Sequence, residues 1–150
     1  MKIWIDADAC PKPVKEIVLR ASERRQVPVT FVANQFIPTP NVDWITSVQV
    51  PQGMDVADNY IVQHLSPEDL VVTQDVPLAA EVVEKGAMAI SNHGVTWTEE
   101  NVREKLSLRD FFTEAREAGI MTGGPTPYDN KAKQAFANAL DRWLTAVLNP

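Results

Sequence analysis

The fold of this chain is decided near its start, by the stretch Lys2-Ile3-Trp4-Ile5-Asp6-Ala7-Asp8-Ala9-Cys10-Pro11. An apolar run typical of a buried parallel strand ends there at two carboxylates, and a proline then opens a helical pattern. We therefore predict a strand that leads through a turn into a helix, with Asp6 and Asp8 at the carboxyl end of the strand. In open α/β sheets this edge is where ligands bind.

The two carboxylates are unfavourable for folding if nothing neutralises them. Because side chains alternate along a strand, Asp6 and Asp8 are expected on the same face, and like charges placed side by side repel. A divalent cation bound between them would explain the arrangement.

Length and composition limit the classes of protein that are possible. With 150 residues and 45% hydrophobic content, one compact domain covering residues 1–150 is expected. The net charge of -6 argues against broad attraction to nucleic acid, although a local basic surface is still possible. The single cysteine excludes a disulfide within the chain, and we find no signal-peptide or membrane-spanning pattern. We expect a cytoplasmic protein that does not enter a membrane.

Strand and helix patterns alternate along the rest of the chain. This order predicts an α/β fold with a central, mostly parallel sheet of about five strands, helices on both faces and two C-terminal helices. The later strands are predicted at Val27–Asn34, Thr46–Val50, Leu70–Asp75 and Ala87–Ser91, and the helices at Val14–Arg25, within Met54–Leu65, at Pro77–Lys85, from Thr98 towards Ala118, and at Asp129–Leu148.

Further carboxylates follow in the middle of the chain. Asp58 shares a helical spacing with Ile61, Val62 and Leu65, which places it on an apolar stripe where an unpaired carboxylate is costly. Asp55, one turn earlier, either joins Asp58 in a site or serves as the N-cap of the helix.

These acids are expected to converge. Asp75 ends the fourth predicted strand, and in a doubly wound sheet the first and fourth strands are neighbours at the switch point. Oxygen-only ligands select hard cations, so we predict Mg²⁺ or Mn²⁺. Two such ions about 3.5–4 Å apart would activate a water and stabilise the leaving oxygen in phosphodiester hydrolysis. The predicted metal ligands are Asp6, Asp8, Asp55, Asp58 and Asp75.

The chain resembles, over essentially its whole length, the YaiI/YqxD family of small bacterial proteins, which is grouped by fold with the PIN-like nuclease domains. The resemblance implies a PIN-like three-layer fold, with metal-binding and catalytic roles for Asp6, Asp58 and Asp75 and supporting roles for Asp8 and Asp55. The motifs that carry it are Ile5-Asp6-Ala7-Asp8-Ala9-Cys10-Pro11, Gly53-Met54-Asp55-Val56-Ala57-Asp58, Val72-Thr73-Gln74-Asp75-Val76-Pro77-Leu78-Ala79, Trp97-Thr98-Glu99-Glu100-Asn101 and Gly124-Pro125-Thr126-Pro127.

Two departures from the PIN-like pattern stand out. Many PIN domains carry a further acid shortly after the strand-four aspartate, where this chain has Val76-Pro77-Leu78, and Asp8 is a candidate for that role. The family also tends to have an acid near the start of the last helix, where Ala132 and Lys133 stand here.

Contacts to a substrate are predicted from polar residues at the same edge. Asn34 and Asn92 follow strands and could bind substrate or metal-bound water, or could be plain turn residues. The first helix carries five basic residues against two acidic ones, so Lys12 and Lys15 either contact a phosphate backbone or belong to a solvated face. Cys10 lacks an obvious catalytic partner and is predicted to be a small buried residue.

Three functions are compatible with these patterns. The first is a divalent-metal-dependent nuclease that acts on RNA or, less favoured, on DNA. The second is a non-catalytic module that binds a metal or a partner through the acidic pocket. The third is a haloacid-dehalogenase-like phosphatase, in which Asp6 would be the nucleophile, Asp8 the acid/base and Thr73 the motif threonine.

Overall fold

The computed structural model describes residues 1–53, 55–107 and 128–148, in which strands and helices alternate. A short 3-10 turn, Ala7–Ala9, follows the first strand. The strands are β1 (Ile3–Asp6), β2 (Val29–Ala33), β3 (Ile45–Gln49), β4 (Leu70–Val72) and β5 (Met88–Ile90). The helices are α1 (Lys12–Arg25), α2 (Val56–His64), α3 (Val76–Glu84), α4 (99–107 within the described residues) and α5 (Asn130–Leu148).

The five strands form one parallel sheet in the order β3-β2-β1-β4-β5. Strand β1 lies at the centre, where Ile5 pairs with Phe31 of β2 on one side and with Val72 of β4 on the other. The predicted neighbourhood of the first and fourth strands is therefore confirmed. The strand order reverses at this pair, so the carboxyl ends of β1 and β4 form the topological switch point.

Two apolar cores cover the two faces of the sheet. Ile3 and Ile5 face a core completed by α1 and by Phe136 and Leu140 of α5, whereas Trp4, on the opposite face, meets α2, α3 and α4. This split follows from the alternation of side chains along β1. The predicted three-layer α/β fold is confirmed, and its sheet is parallel throughout.

Two sequence predictions about the ends of strands are wrong. Strand β1 ends at Asp6, and Asp8 lies in the following 3-10 turn, so the two do not share a strand face. Strand β4 ends at Val72 rather than at Asp75. Asp75 instead occupies the N-cap of α3, because its side chain accepts a hydrogen bond from the backbone N–H of Leu78 over 2.9 Å.

The predicted C-terminal helices are only partly within the described residues. Helix α5 closely matches its prediction, with Phe136, Leu140 and Trp143 buried. The continuation of α4 towards Ala118 and the turn Thr122–Pro127 lie outside the described residues. Across those described ranges, no helix combines the length and apolarity needed to cross a membrane.

Candidate functional site

Asp6 stands at the carboxyl end of β1, half-buried at the switch point. Burial raises the pKa of its carboxyl group, a hydrogen bond from Thr73 lowers it, and the charges of Asp75 and Asp8 raise it again. The net effect is a raised pKa, so the charge on Asp6 is held at a cost in free energy.

Thr73 connects Asp6 to the second acidic residue of the site. Its hydroxyl donates to Asp6 Oδ2 over 3.0 Å and accepts from the backbone N–H of Asp75 over 2.9 Å. Thr73 is only 1% exposed, so both bonds are protected from water. From the sequence alone, Thr73 has a role only in the phosphatase alternative. The sequence feature that could have identified Thr73 is its position as a polar residue directly after the buried strand β4.

Asp58 brings a third carboxyl group to the same place from the first turn of α2. Burial raises its pKa to about 7, with further contributions from the charges of Asp75, Asp6 and Asp55 and from a hydrogen bond with Asp75. Carboxyl groups from β1, α2 and the loop before α3 therefore lie near one another. One of them must keep a proton, or a cation must approach, to relieve the repulsion.

Asp8 and Asp55 lie at the margin of this cluster. Asp8 is exposed and accepts a hydrogen bond from the backbone N–H of Asn34 over 2.9 Å. The side-chain amide of Asn34, assigned with its nitrogen towards Asp8, donates to both carboxylate oxygens. Asp55 is exposed in a left-handed conformation (φ 64°) at the N-cap position of α2, but its side chain makes no capping hydrogen bond.

The predicted substrate contacts occupy different environments. Asn34 is engaged with Asp8, and Asn92 is 5% exposed in the turn after β5, where its backbone N–H donates to Gln74 Oε1 over 2.7 Å. Lys12 is exposed at the first position of α1. Lys15 is half-buried and lies close enough to Cys10 for its charge to lower the pKa of the thiol.

Cys10 is half-buried beside these residues. Burial raises the pKa of its thiol to about 12, Lys15 opposes this rise, and Asp6 adds to it. The thiol is therefore protonated at neutral pH, which fits the prediction of a small structural residue rather than a nucleophile.

The acidic cluster fits a hard divalent cation in ligand chemistry and in charge, because Asp6, Asp58 and Asp75 offer carboxylate oxygens that repel one another. Within the described part of the chain, however, no group of three or more His, Cys, Asp or Glu side chains is arranged ready to hold a metal. Asp75 is engaged by α3 and Asp6 by Thr73. Joint coordination therefore requires side-chain rotation at this edge.

Fold and site together define an α/β protein with a carboxyl cluster at the switch point of a five-stranded parallel sheet. The chain belongs to the YaiI/YqxD family: the family model described as "Uncharacterized BCR, YaiI/YqxD family" matches residues 4–146.

Relatives match over nearly their whole length. A UPF0178 protein of Shewanella sp. strain ANA-3 is 52% identical over 146 residues, covering 97% of both chains. One of Psychromonas ingrahamii is 55% identical over 144 residues, and one of Proteus mirabilis is 52% identical over 144, each match covering 96% of this chain and 95% of the relative. No solved structure gives a significant match.

Proposed function

We propose that this protein is a divalent-metal-dependent nuclease that hydrolyses phosphodiester bonds of RNA. Asp6, Asp58 and Asp75 are proposed to hold Mg²⁺ or Mn²⁺. The observation that carries the proposal is the convergence of these carboxyl groups from three separate elements. They are so close together that the charges of Asp75 and Asp6 raise the pKa of Asp58 beyond the effect of burial. A cluster of this kind is costly to folding and is typical of a functional site.

The chain's own residues have distinct parts in this proposal. A divalent cation supplies activation of water and stabilisation of the leaving oxygen in phosphodiester hydrolysis. Thr73 orients Asp6 through its hydroxyl and ties the backbone of Asp75 to the same point. Asp58 must lose its proton before it can act as a ligand, since only the carboxylate form binds a cation. Asp8 and Asp55 add negative charge around the site.

The proposed substrate is RNA because the family resembles PIN-like nucleases and because Lys12 and Lys15 begin α1 shortly after the acidic edge. Both lysines could neutralise phosphates of a bound strand, and Asn34 lies at the end of the neighbouring strand β2.

Two other functions lead to different expectations. A non-catalytic module would bind a metal or a partner at the acidic cluster without cleaving anything. A haloacid-dehalogenase-like phosphatase would use Asp6 and Asp8 and would leave Asp58 without a role. The closeness of Asp58 to Asp6 and Asp75, whose charges raise its pKa, supports the nuclease over the phosphatase, because the phosphatase leaves Asp58 unused.

The test compares the wild-type protein with Asp58→Asn and with the control Asp43→Asn. Asp43 is exposed and precedes β3, at the opposite edge of the sheet. All three proteins are purified identically, assayed with Mn²⁺ on fluorescent single-stranded RNA and DNA, and titrated with Mn²⁺ by calorimetry.

We expect RNA cleavage by the wild type and Asp43→Asn and at least a roughly 100-fold loss in Asp58→Asn. Equal cleavage by all three proteins would identify a contaminating nuclease and overturn the proposal. Mn²⁺ binding without cleavage would overturn it in favour of the non-catalytic module.

A further inference from the structure

A cleft of about 480 Å³ opens beside the acidic cluster, between the ends of β4 and β5 and helix α4. This volume lies within the range of small-molecule sites. Gln74 and Val76 both line the cleft and flank Asp75 in the chain. Because consecutive Cα atoms are about 3.8 Å apart, the cleft adjoins the proposed catalytic edge.

Hydrogen bonds fix the walls of the cleft. The indole N–H of Trp97 donates to the Thr73 carbonyl over 3.2 Å, so this wall is tied to the residue that holds Asp6. Ser91 Oγ accepts from the backbone N–H groups of His93 and Val95 over 3.2 and 3.1 Å, which fixes the turn after β5. These hydrogen bonds hold the Trp97 wall and the turn after β5 in place without a ligand.

Gly94 allows the turn after β5 to lie directly against α5. Its φ is +81°, and an added Cβ would collide with the Ala135 carbonyl oxygen. Only glycine permits both this backbone conformation and this close approach.

The lining combines an apolar surface with one positive charge. Val95 is 50% exposed, although most apolar side chains of this size are buried in the fold, and half-buried Val76 continues the apolar surface. Trp97 also lines the cleft but is only 7% exposed. Lys105, exposed on α4, carries the charge, in a chain with a net charge of -6. Exposed apolar side chains beside one cation are complementary to a nucleobase that carries a phosphate.

A polar side chain at the cleft also favours a nucleotide as the ligand. His93 lines the cleft, and within the described ranges its Nε2 atom is buried without a hydrogen-bond partner. Its ring packs edge-on against Tyr128, with the centroids 5.4 Å apart. Buried polar atoms normally have a hydrogen-bond partner, and a polar ligand in the cleft would supply one to this ring nitrogen.

We propose that this cleft binds one nucleotide of the substrate strand, with its base on Val95 and Val76 and its phosphate at Lys105. The inference rests on the proposed nuclease function and extends it to a subsite next to Asp75. Lys105 and Val95 are the specificity-determining contacts, and neither belongs to the carboxyl cluster.

The experiment measures binding without metal. The ¹⁵N-labelled protein in EDTA is titrated with adenosine 5′-monophosphate, adenosine and inorganic phosphate, and the indole N–H signal of Trp97 is followed by NMR. The variants are Lys105→Ala, Val95→Asp and the control Lys131→Ala, an exposed lysine on α5 that does not line the cleft.

We expect saturable binding of the monophosphate, weakened at least about tenfold by Lys105→Ala and unchanged by Lys131→Ala. Binding of adenosine should be insensitive to Lys105→Ala and lost in Val95→Asp. The subsite is overturned if no nucleotide shifts the Trp97 signal, or if the two lysine variants behave alike.

The outcomes separate the subsite from the nuclease. RNA cleavage by a protein whose cleft ignores nucleotides would overturn the subsite alone. Nucleotide binding in the cleft of a protein that neither binds Mn²⁺ nor cleaves RNA would support the subsite and overturn the nuclease.

Discussion

The Thr73 hydroxyl lies 3.0 Å from Asp6 Oδ2 and donates a hydrogen bond to it, although the two residues are 67 positions apart in the chain. The Thr73 hydroxyl oxygen also accepts a hydrogen bond from the backbone N–H of Asp75 over 2.9 Å. One side chain thus fixes the end of β1 and the start of α3. The relative placement of the acidic residues depends on it.

Replacing Thr73 by valine should destabilise the protein. Thr73→Val keeps the shape but leaves the backbone N–H of Asp75 and the Asp6 carboxyl without this partner, at a cost of about 1–3 kcal/mol. Thr73→Ser retains the hydroxyl and should recover most of that loss. Urea unfolding of the three proteins at pH 7 measures the difference. Equal stability of the valine and serine variants would show that the two hydrogen bonds contribute nothing.

The pH dependence of stability should reveal the proton on Asp58. The pKa of Asp58 is raised from 3.8 to about 7, so between these values the native state binds more protons than the unfolded state. The free energy of unfolding therefore falls as pH rises through this window and levels off above about pH 7.

Asp58→Asn removes this dependence. The variant should melt at a higher temperature than the wild type at pH 8, with the difference vanishing near pH 4, when both are scanned in EDTA. Because Asp58 is only half-buried, solvent screening makes the effect smaller than the full shift implies. A variant that melts below the wild type at pH 8 would contradict the raised pKa.

A metal titration tests the role of Asp75 without removing the helix cap. Asparagine is as good an N-cap as aspartate, so Asp75→Asn keeps α3 intact while removing one charge. Mn²⁺ should raise the melting temperature of the wild type and of Asp43→Asn but not that of Asp75→Asn. Without metal, Asp75→Asn should be at least as stable as the wild type, because a repulsive charge has gone.

The Mn²⁺ affinity of the wild type should also rise with pH up to about 7, as Asp58 loses its proton. An affinity that stays constant between pH 5.5 and 8 would exclude Asp58 from the set of ligands.

The thiol of Cys10 should be unreactive in the folded protein. With its pKa raised to about 12, the native thiol is almost entirely protonated at pH 8. Unfolding restores an ordinary pKa near 8.5, so alkylation by iodoacetamide should be roughly a thousandfold faster in guanidinium chloride. Mass spectrometry of quenched samples measures both rates. Comparable rates would show that the Cys10 thiol is accessible in the folded protein and has an ordinary pKa, which would contradict the raised value.

Two glycines with similar backbone angles allow a matched comparison. Gly86 and Gly94 have φ values of +86° and +81°, but an added Cβ at Gly86 meets nothing within 4 Å, whereas at Gly94 it collides with the backbone of α5. Gly86→Ala should cost about 1–2 kcal/mol of backbone strain. Gly94→Ala should cost about 1–3 kcal/mol more, because α5 must move. Denaturant unfolding compares them; equal losses would mean that α5 yields without cost.

The sequence alone determined the architecture, because hydrophobic periodicity reports on burial. The apolar run of β1 and the alternation of strand and helix patterns predicted a parallel sheet with β1 beside β4, and the topology confirms it. The helical spacing of Asp58 with apolar residues likewise predicted that its carboxyl group belongs to the cluster. In each case the prediction rests on the spacing of apolar residues, which is a local property of the sequence.

Only the tertiary structure decided how the polar groups of the site are arranged. The sequence placed Asp8 on a strand with Asp6, but the chain turns after Asp6, and Asp8 bonds to Asn34 instead. Nothing in the sequence indicated that Thr73 would donate a hydrogen bond to Asp6 within a metal site.

The cleft beside Asp75 shows the same dependence on tertiary structure, because its walls come from the ends of β4 and β5 and from α4. Hydrogen bonds and clefts of this kind depend on the direction of single side chains between segments that are distant in sequence. Periodicity fixes which face of an element is buried, but the packing of the assembled layers fixes which polar atoms meet.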